Sequence, residues 1–118
     1  MSNKNYKLMI VVVDRGLAKK VQEILHTVKE TYMFITIGSG TANSEILDYL
    51  GLGETEKDII FTVMDSSLIK ESFELLNKNM NFTRPGHGIA FTISLNSISG
   101  KKALKILTGD SWEDNNGK

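Results

Sequence analysis

The chain has no cysteine, which excludes disulfides, thiolate metal sites and a thiol nucleophile. Aromatic residues make up only 8% and lie scattered without a basic stripe, so a sheet face that stacks nucleic-acid bases is not expected. Charge of one sign is also lacking: fourteen Lys and Arg balance fourteen Asp and Glu. No overall field therefore draws nucleic acid or an anionic membrane, and an anionic ligand needs a local site. The apolar run Leu8–Val13 stops at Asp14-Arg15, too short for a signal-peptide core and far too short to cross a bilayer. What is present, 118 residues at 41% hydrophobic, fits one domain in residues 1–118, with a core over about 7–98 and a polar tail over about 111–118. The expectation is a soluble cytoplasmic protein without membrane insertion.

The single proline, Pro85, stands in the stretch that carries most chemical information, Thr83-Arg84-Pro85-Gly86-His87-Gly88-Ile89-Ala90-Phe91. Gly86 and Gly88 bracket His87, so the backbone can take positive φ and present its N–H groups. The planar fork of Arg84 suits a phosphate or carboxylate. The stretch reads either as an anion cradle or as a plain tight turn between a helix and a strand, and spacing alone leaves both open. Ile89, Phe91, Ile93 and Leu95 then alternate with Ala90, Thr92 and Ser94, the period of a strand with one buried face.

In chain order, Lys7–Val13 is a β-branched strand with Leu8, Ile10 and Val12 on one face and Met9, Val11 and Val13 on the other. Asp14-Arg15-Gly16 opens a helix bearing Leu17, Val21, Ile24, Leu25 and Val28, with His26 on its exposed side. A second strand, Tyr32 to Ile37, ends at Gly38-Ser39-Gly40. The long interval Ser39–Lys57 carries its own short helix, with Asn43 or Ser44 as cap, Ile46, Leu47 and Leu50 as apolar side chains and Gly51 or Gly53 as terminator. Such a connection either packs on the body or meets a partner.

Asp58–Met64 is the third strand, with Ile59, Phe61 and Val63 opposite Ile60, Thr62 and Met64. Asp65-Ser66-Ser67 caps a second helix with the stripe Leu68, Ile69, Phe73, Leu76 and Met80, expected to fray over Asn77–Asn81. After the fourth strand, Ala103–Leu107 has the makings of a further short strand, and Trp112 onward reads as a loose tail. The charge runs Glu54–Asp58 and Lys101-Lys102 read as solvated loop and turn.

Two β-α-β halves joined by a long loop give an α+β class fold, a ferredoxin-like βαββαβ chain with a four-stranded antiparallel sheet and two helices on one face. The first and third strands are apolar on both faces, so the face without helices needs cover. Leaving several Val, Ile and Met side chains in water at ~1.5–3 kcal/mol each is unfavourable, and sheet-to-sheet packing in a homo-oligomer is expected.

Gly38-Ser39-Gly40 after the second strand, the long loop behind it and Thr-Arg-Pro-Gly-His-Gly-Ile-Ala-Phe before the fourth strand resemble the P-II signal-transduction family over roughly Lys7 to Ile98. The resemblance implies a non-enzymatic homotrimer that binds an adenine nucleotide (ATP, ADP or AMP) or a related small anion in clefts between subunits. Such a protein reports energy, nitrogen or carbon status to an unidentified partner protein or transporter through the 39–57 loop. It implies a phosphate cradle at Arg84, Gly86, His87 and Gly88, a loop mouth at Gly38, Ser39 and Gly40, and Lys57 near the adenine end, with no catalytic residue, covalent cofactor or resident metal.

The chain departs from the family pattern at three places. Ile89 stands where the family has a lysine, and Tyr49 sits in Asp-Tyr-Leu-Gly rather than the Tyr-Arg-Gly that is modified. Lys105, Leu107 and Thr108-Gly109-Asp110 only loosely echo the family's arginines and Thr-Gly-Glu ending. Two other readings suit the same architecture. One is a small acylphosphatase-like phosphate-handling enzyme with Asp14-Arg15-Gly16 as its cradle. The other is a trimeric metal-tolerance-type protein, for which His26 and His87 are a sparse ligand set.

Overall fold

A computed structural model describes residues 5–40, 56–84 and 86–110. Strands β1 (Tyr6–Asp14), β2 (Met33–Ser39), β3 (Glu56–Asp65) and β4 (Ile89–Ser94) form one sheet in the order β2-β3-β1-β4, every neighbouring pair antiparallel. Helices α1 (Ala18–His26), α2 (Ile69–Met80) and α3 (Lys101–Leu107) complete the described chain. This is the expected α+β, ferredoxin-like arrangement, with α3 in addition to the two helices expected on the sheet. No helix among the described residues is long and apolar enough to cross a membrane.

The period of two along β1 and β3 separates two apolar sets. Met9, Val11, Val13, Ile60 and Met64 pack under Ala18, Val21 and Leu25 of α1 and Leu76 and Met80 of α2, all buried. Two polar groups join this layer with their bonds made. Thr62 donates to the carbonyl of Tyr32 at 2.9 Å and therefore takes its second bond from the hydroxyl of Thr31, 2.6 Å away. Ser72, in the middle of α2, donates back to the carbonyl of Leu68 at 2.8 Å.

The opposite face is apolar in rows that run across the strands. The register aligns Phe34, Phe61, Ile10 and Phe91 in one row, and Thr36, Ile59, Val12 and Ile89 in the next. Phe34, Ile89, Phe91 and Ile93 are each at least 41% exposed, and no described element covers them.

The ends of three elements differ from the sequence expectation. Residues 103–107 belong to a helix, not a strand: Lys101-Lys102-Ala103-Leu104-Lys105 are straight-chain helix formers. Gly100 at φ 86° starts the turn, and the Thr108 hydroxyl closes it on the carbonyl of Leu104 at 3.0 Å. The helix is fastened to the body where the N–H of Tyr32 donates to the carbonyl of Leu107 at 2.8 Å. The second helix does not fray at Asn77 but runs to Met80, because Leu76 and Met80, one turn apart, bury together. Asn81 ends it in the left-handed region at φ 59°.

Asp65 caps as expected, but into a single 3₁₀ turn, Ser66–Leu68, ahead of the α-helix proper, its carboxylate accepting from the N–H of Ser67 at 3.2 Å. His26 is half-buried rather than exposed, its Nε2 lying 3.0 Å from the carbonyl of Thr31. The expected helix after Asn43 or Ser44, Tyr49 and the tail from Trp112 lie outside the described residues.

Leu76→Ala is predicted to lower unfolding free energy by about 2–5 kcal/mol. Ile106→Ala, at a position 54% exposed on α3, is expected to change it by under about 1 kcal/mol. Urea unfolding of both variants at one fixed protein concentration checks the pair.

Candidate functional site

The open apolar face ends in a charged row. One register step beyond Thr36–Ile59–Val12–Ile89, the partners are Gly38, Lys57 and Asp14. Cross-strand partners share a face, so Lys57 and Asp14 stand side by side, and Lys57 Nζ meets Asp14 Oδ1 at 2.5 Å. Gly38 is a packing glycine: a Cβ there would lie 2.5 Å from Cδ1 of Ile59. Asp58, next in sequence to Lys57, points to the helix face. Its Oδ2 accepts the N–H of Gly16 at 2.8 Å and of Ala18 at 3.1 Å, and its Oδ1 pairs with Arg15 Nε at 3.1 Å.

α1 has no side-chain cap of its own, and Asp58 supplies that function from a strand forty residues away in sequence. Arg15 also reaches Glu56 at 3.1 Å. The run Glu56-Lys57-Asp58 is therefore not a solvated loop end: Lys57 and Asp58 are buried at 8% and 7% exposure, because each has a partner of opposite charge within the chain.

The glycine turn closes over the same end of the sheet. The N–H of Arg84 donates to the carbonyl of Asn81 at 3.1 Å, and the N–H of His87 to that of Arg84 at 3.2 Å. Gly86 and Gly88 take φ values of 85° and 132°. A Cβ on Gly88 would sit 2.7 Å from the Phe82 ring and 3.0 Å from Val13, so glycine here permits both the backbone geometry and the close approach to β1.

Between this turn and the charged row lies a cleft of ≈ 240 Å³. Val12, Val13 and Ile89 give it apolar walls, Gly86 and Gly88 a backbone rim, and Lys57 and Asp14 a charged end.

Of the residues picked from sequence, Lys57, Gly86 and Gly88 come together at this cleft. Gly38 adjoins it in register. Ser39, opposite Glu56, and Gly40 lie farther along β2 and just past it. Arg84 is exposed and does not line the cleft within one chain; its backbone N–H and carbonyl close the turn. His87 lines a separate cleft with Lys20, Asn79 and Asn81, which also touches Asp14 and Gly86.

Asp14, which lines the cleft, was picked from sequence only for the rival cradle, and Asp58, which braces the start of α1, was not picked at all. Asp14 ends an apolar strand, a visible signal, but its partner is set by the pairing of β1 with β3. The rival cradle at Asp14-Arg15-Gly16 is filled by the chain's own Asp58 carboxylate.

No protein-family model matches the sequence, and no curated protein matches it either. Solved structures do match in fold. The nitrogen regulatory PII-like protein CPII of Thiomonas intermedia, solved with ADP, AMP and bicarbonate, aligns with a TM-score of 0.61 at 12% identity, over 81% of this chain and 96% of that one. The chain has the PII-like fold. The divalent ion tolerance protein CutA1 of Ehrlichia chaffeensis shares the frame, with a TM-score of 0.63 at 14% identity over 90% of this chain and 94% of its own.

A Bacillus cereus protein related to NIF3 contains the fold as one part: the TM-score is 0.59 at 17% identity, and this chain spans 82% of itself but 27% of that protein. Within the PII-like frame, the Lys57–Asp14 pair and the Gly86–Gly88 rim stand at the sheet end where β1, β3 and β4 meet.

Asp58→Ala strands two amides and a guanidinium and is predicted to lower unfolding free energy by about 2–4 kcal/mol. Glu56→Ala, which breaks only an exposed pair, is expected to stay within about 1 kcal/mol of the parent. Denaturant midpoints measured side by side decide it.

Proposed function

We propose that this chain is a non-enzymatic PII-like regulatory protein that works in the cytoplasm as a homotrimer. In this reading it binds an adenine nucleotide, or a related small anion, where subunits meet, and reports to a partner protein through residues 39–57. The observation that carries it is the position of the cleft: it opens at the rim of the uncovered apolar face, with Val12 and Ile89 of the row Ile59–Val12–Ile89 in its own wall. A second copy laid on that face brings its own surface to the cleft mouth. The cleft of ≈ 240 Å³ falls just under the ~300–1,000 Å³ of complete small-molecule sites, as suits a half-site finished by a neighbour.

Both sheet edges are free of charged side chains at their centres, Met33–Ile37 on β2 and Ile89–Ser94 on β4. Head-to-tail contact between such unlike edges generates a closed ring when the rotation fits. The apolar walls suit a base and Lys57 suits a phosphate, and the fold likeness to a protein solved with ADP and AMP supports an adenine ligand. The likeness to CutA1, a divalent ion tolerance protein, makes a metal-linked role the second reading. Against that role, His26 and His87 line different clefts. Among the described residues no three His, Asp or Glu side chains gather to hold an ion.

The test is calorimetric titration of ATP, ADP and AMP into the parent protein and into Phe91→Asp, which puts a charge at the β4 end of the exposed row. The parent is expected to bind at least one nucleotide, and the variant, folded by circular dichroism, to lose that binding. No binding to the parent at millimolar concentration overturns the nucleotide reading. Undiminished binding by a dispersed variant overturns the shared cleft.

A further inference from the structure

The cleft has a charge balance that bears on which ligand it accepts. Among the described residues its wall carries one cation, Lys57, and one anion, Asp14, in direct contact at 2.5 Å. Arg15, the nearest further cation in sequence, is taken up by Glu56 and Asp58. Lys20 and His87 line the neighbouring cleft, which shares Asp14, and Arg84 lines neither. The side chain of Lys57 is 11% exposed and that of Asp14 44%, so the ammonium is committed inside the cleft while the carboxylate sits at its mouth.

A site that selects polyphosphates gathers cations and N–H donors and keeps carboxylates away. Here a phosphate reaching Lys57 displaces Asp14 or stands beside it. Like charges ~4–6 Å apart near a protein surface repel by a few kcal/mol at low salt, less where water screens them. The repulsion grows with each negative charge on the ligand. An uncharged base and sugar meet no such penalty.

Resting on the adenine-ligand reading above, we infer that Asp14 is a specificity-determining residue that sets a charge limit on the cleft. It turns away ADP and ATP and admits a nucleoside or nucleoside monophosphate. The device is selection by repulsion of the wrong ligand, with the attractive contacts left to the apolar walls. Asp14 also keeps Lys57 satisfied when the cleft is empty, since a lysine buried without a partner is costly.

The experiment measures affinities of adenosine, AMP, ADP, ATP and inorganic tripolyphosphate for the parent, for Asp14→Asn, and for Asp14→Asn combined with Lys57→Gln, at one low ionic strength. The parent is expected to bind adenosine or AMP at least about tenfold more tightly than ATP. Asp14→Asn is expected to raise ATP and tripolyphosphate affinity about tenfold relative to whatever change adenosine shows, and adding Lys57→Gln to abolish that gain. Circular dichroism verifies the fold of both variants.

ATP as the tightest ligand of the parent, or an equal shift of all five ligands in Asp14→Asn, overturns the charge limit. If no adenine ligand binds any of the three proteins while tripolyphosphate gains in Asp14→Asn and loses that gain with Lys57→Gln, the charge limit stands. It is then the adenine reading that falls.

Discussion

The two central strands have no polar face, and that constraint governs everything else in the molecule. β1 and β3 alternate between Met9, Val11, Val13, Ile60 and Met64 on one side and Leu8, Ile10, Val12, Ile59, Phe61 and Val63 on the other. α1 and α2 shield the first set completely. The second set is extended outward by Phe34 on β2 and by Ile89, Phe91 and Ile93 on β4, which are left in water. Each such side chain gains about 1.5–3 kcal/mol on burial, and together they make a patch of the kind that marks an interface. The cleft shares the rim of that patch, so in the proposed assembly a copy that covers the face also closes over the cleft.

The charged end of the sheet follows from the same alternation. Lys57 and Asp58 are neighbours in β3 and so project to opposite faces. Asp58 goes to the helix side, where it holds two N–H groups at the start of α1 together with Arg15. Lys57 goes to the open side, where Asp14 meets it at the cleft. One residue thereby fixes the entry to α1 while its neighbour faces the cleft.

The strands, their two apolar faces and the glycine turn were legible because they are local: a period of two, and a Gly-His-Gly that demands special backbone angles. Long-range partners were not. Nothing in the spacing of Glu56-Lys57-Asp58 says that Asp14 and Arg15, some forty residues earlier, lie across from it; only the β1–β3 register does. The run looked solvated because charge usually is.

α3 was mistaken for a strand because Leu104, Ile106 and Leu107 alternate loosely, whereas the intervening lysines and Ala103 favour the helix that Thr108 and Tyr32 then fasten. Of the cleft itself, Lys57 and the two glycines were readable, and its carboxylate was not.

The account stands or falls on whether sister copies cover the open face. Sedimentation velocity of the full chain over a range of micromolar concentrations measures this directly. Three chains of 13.1 kDa moving as one species of about 39 kDa is the predicted result. A well-dispersed 13.1 kDa monomer at every concentration contradicts it, because the greasy face then survives in water without a partner.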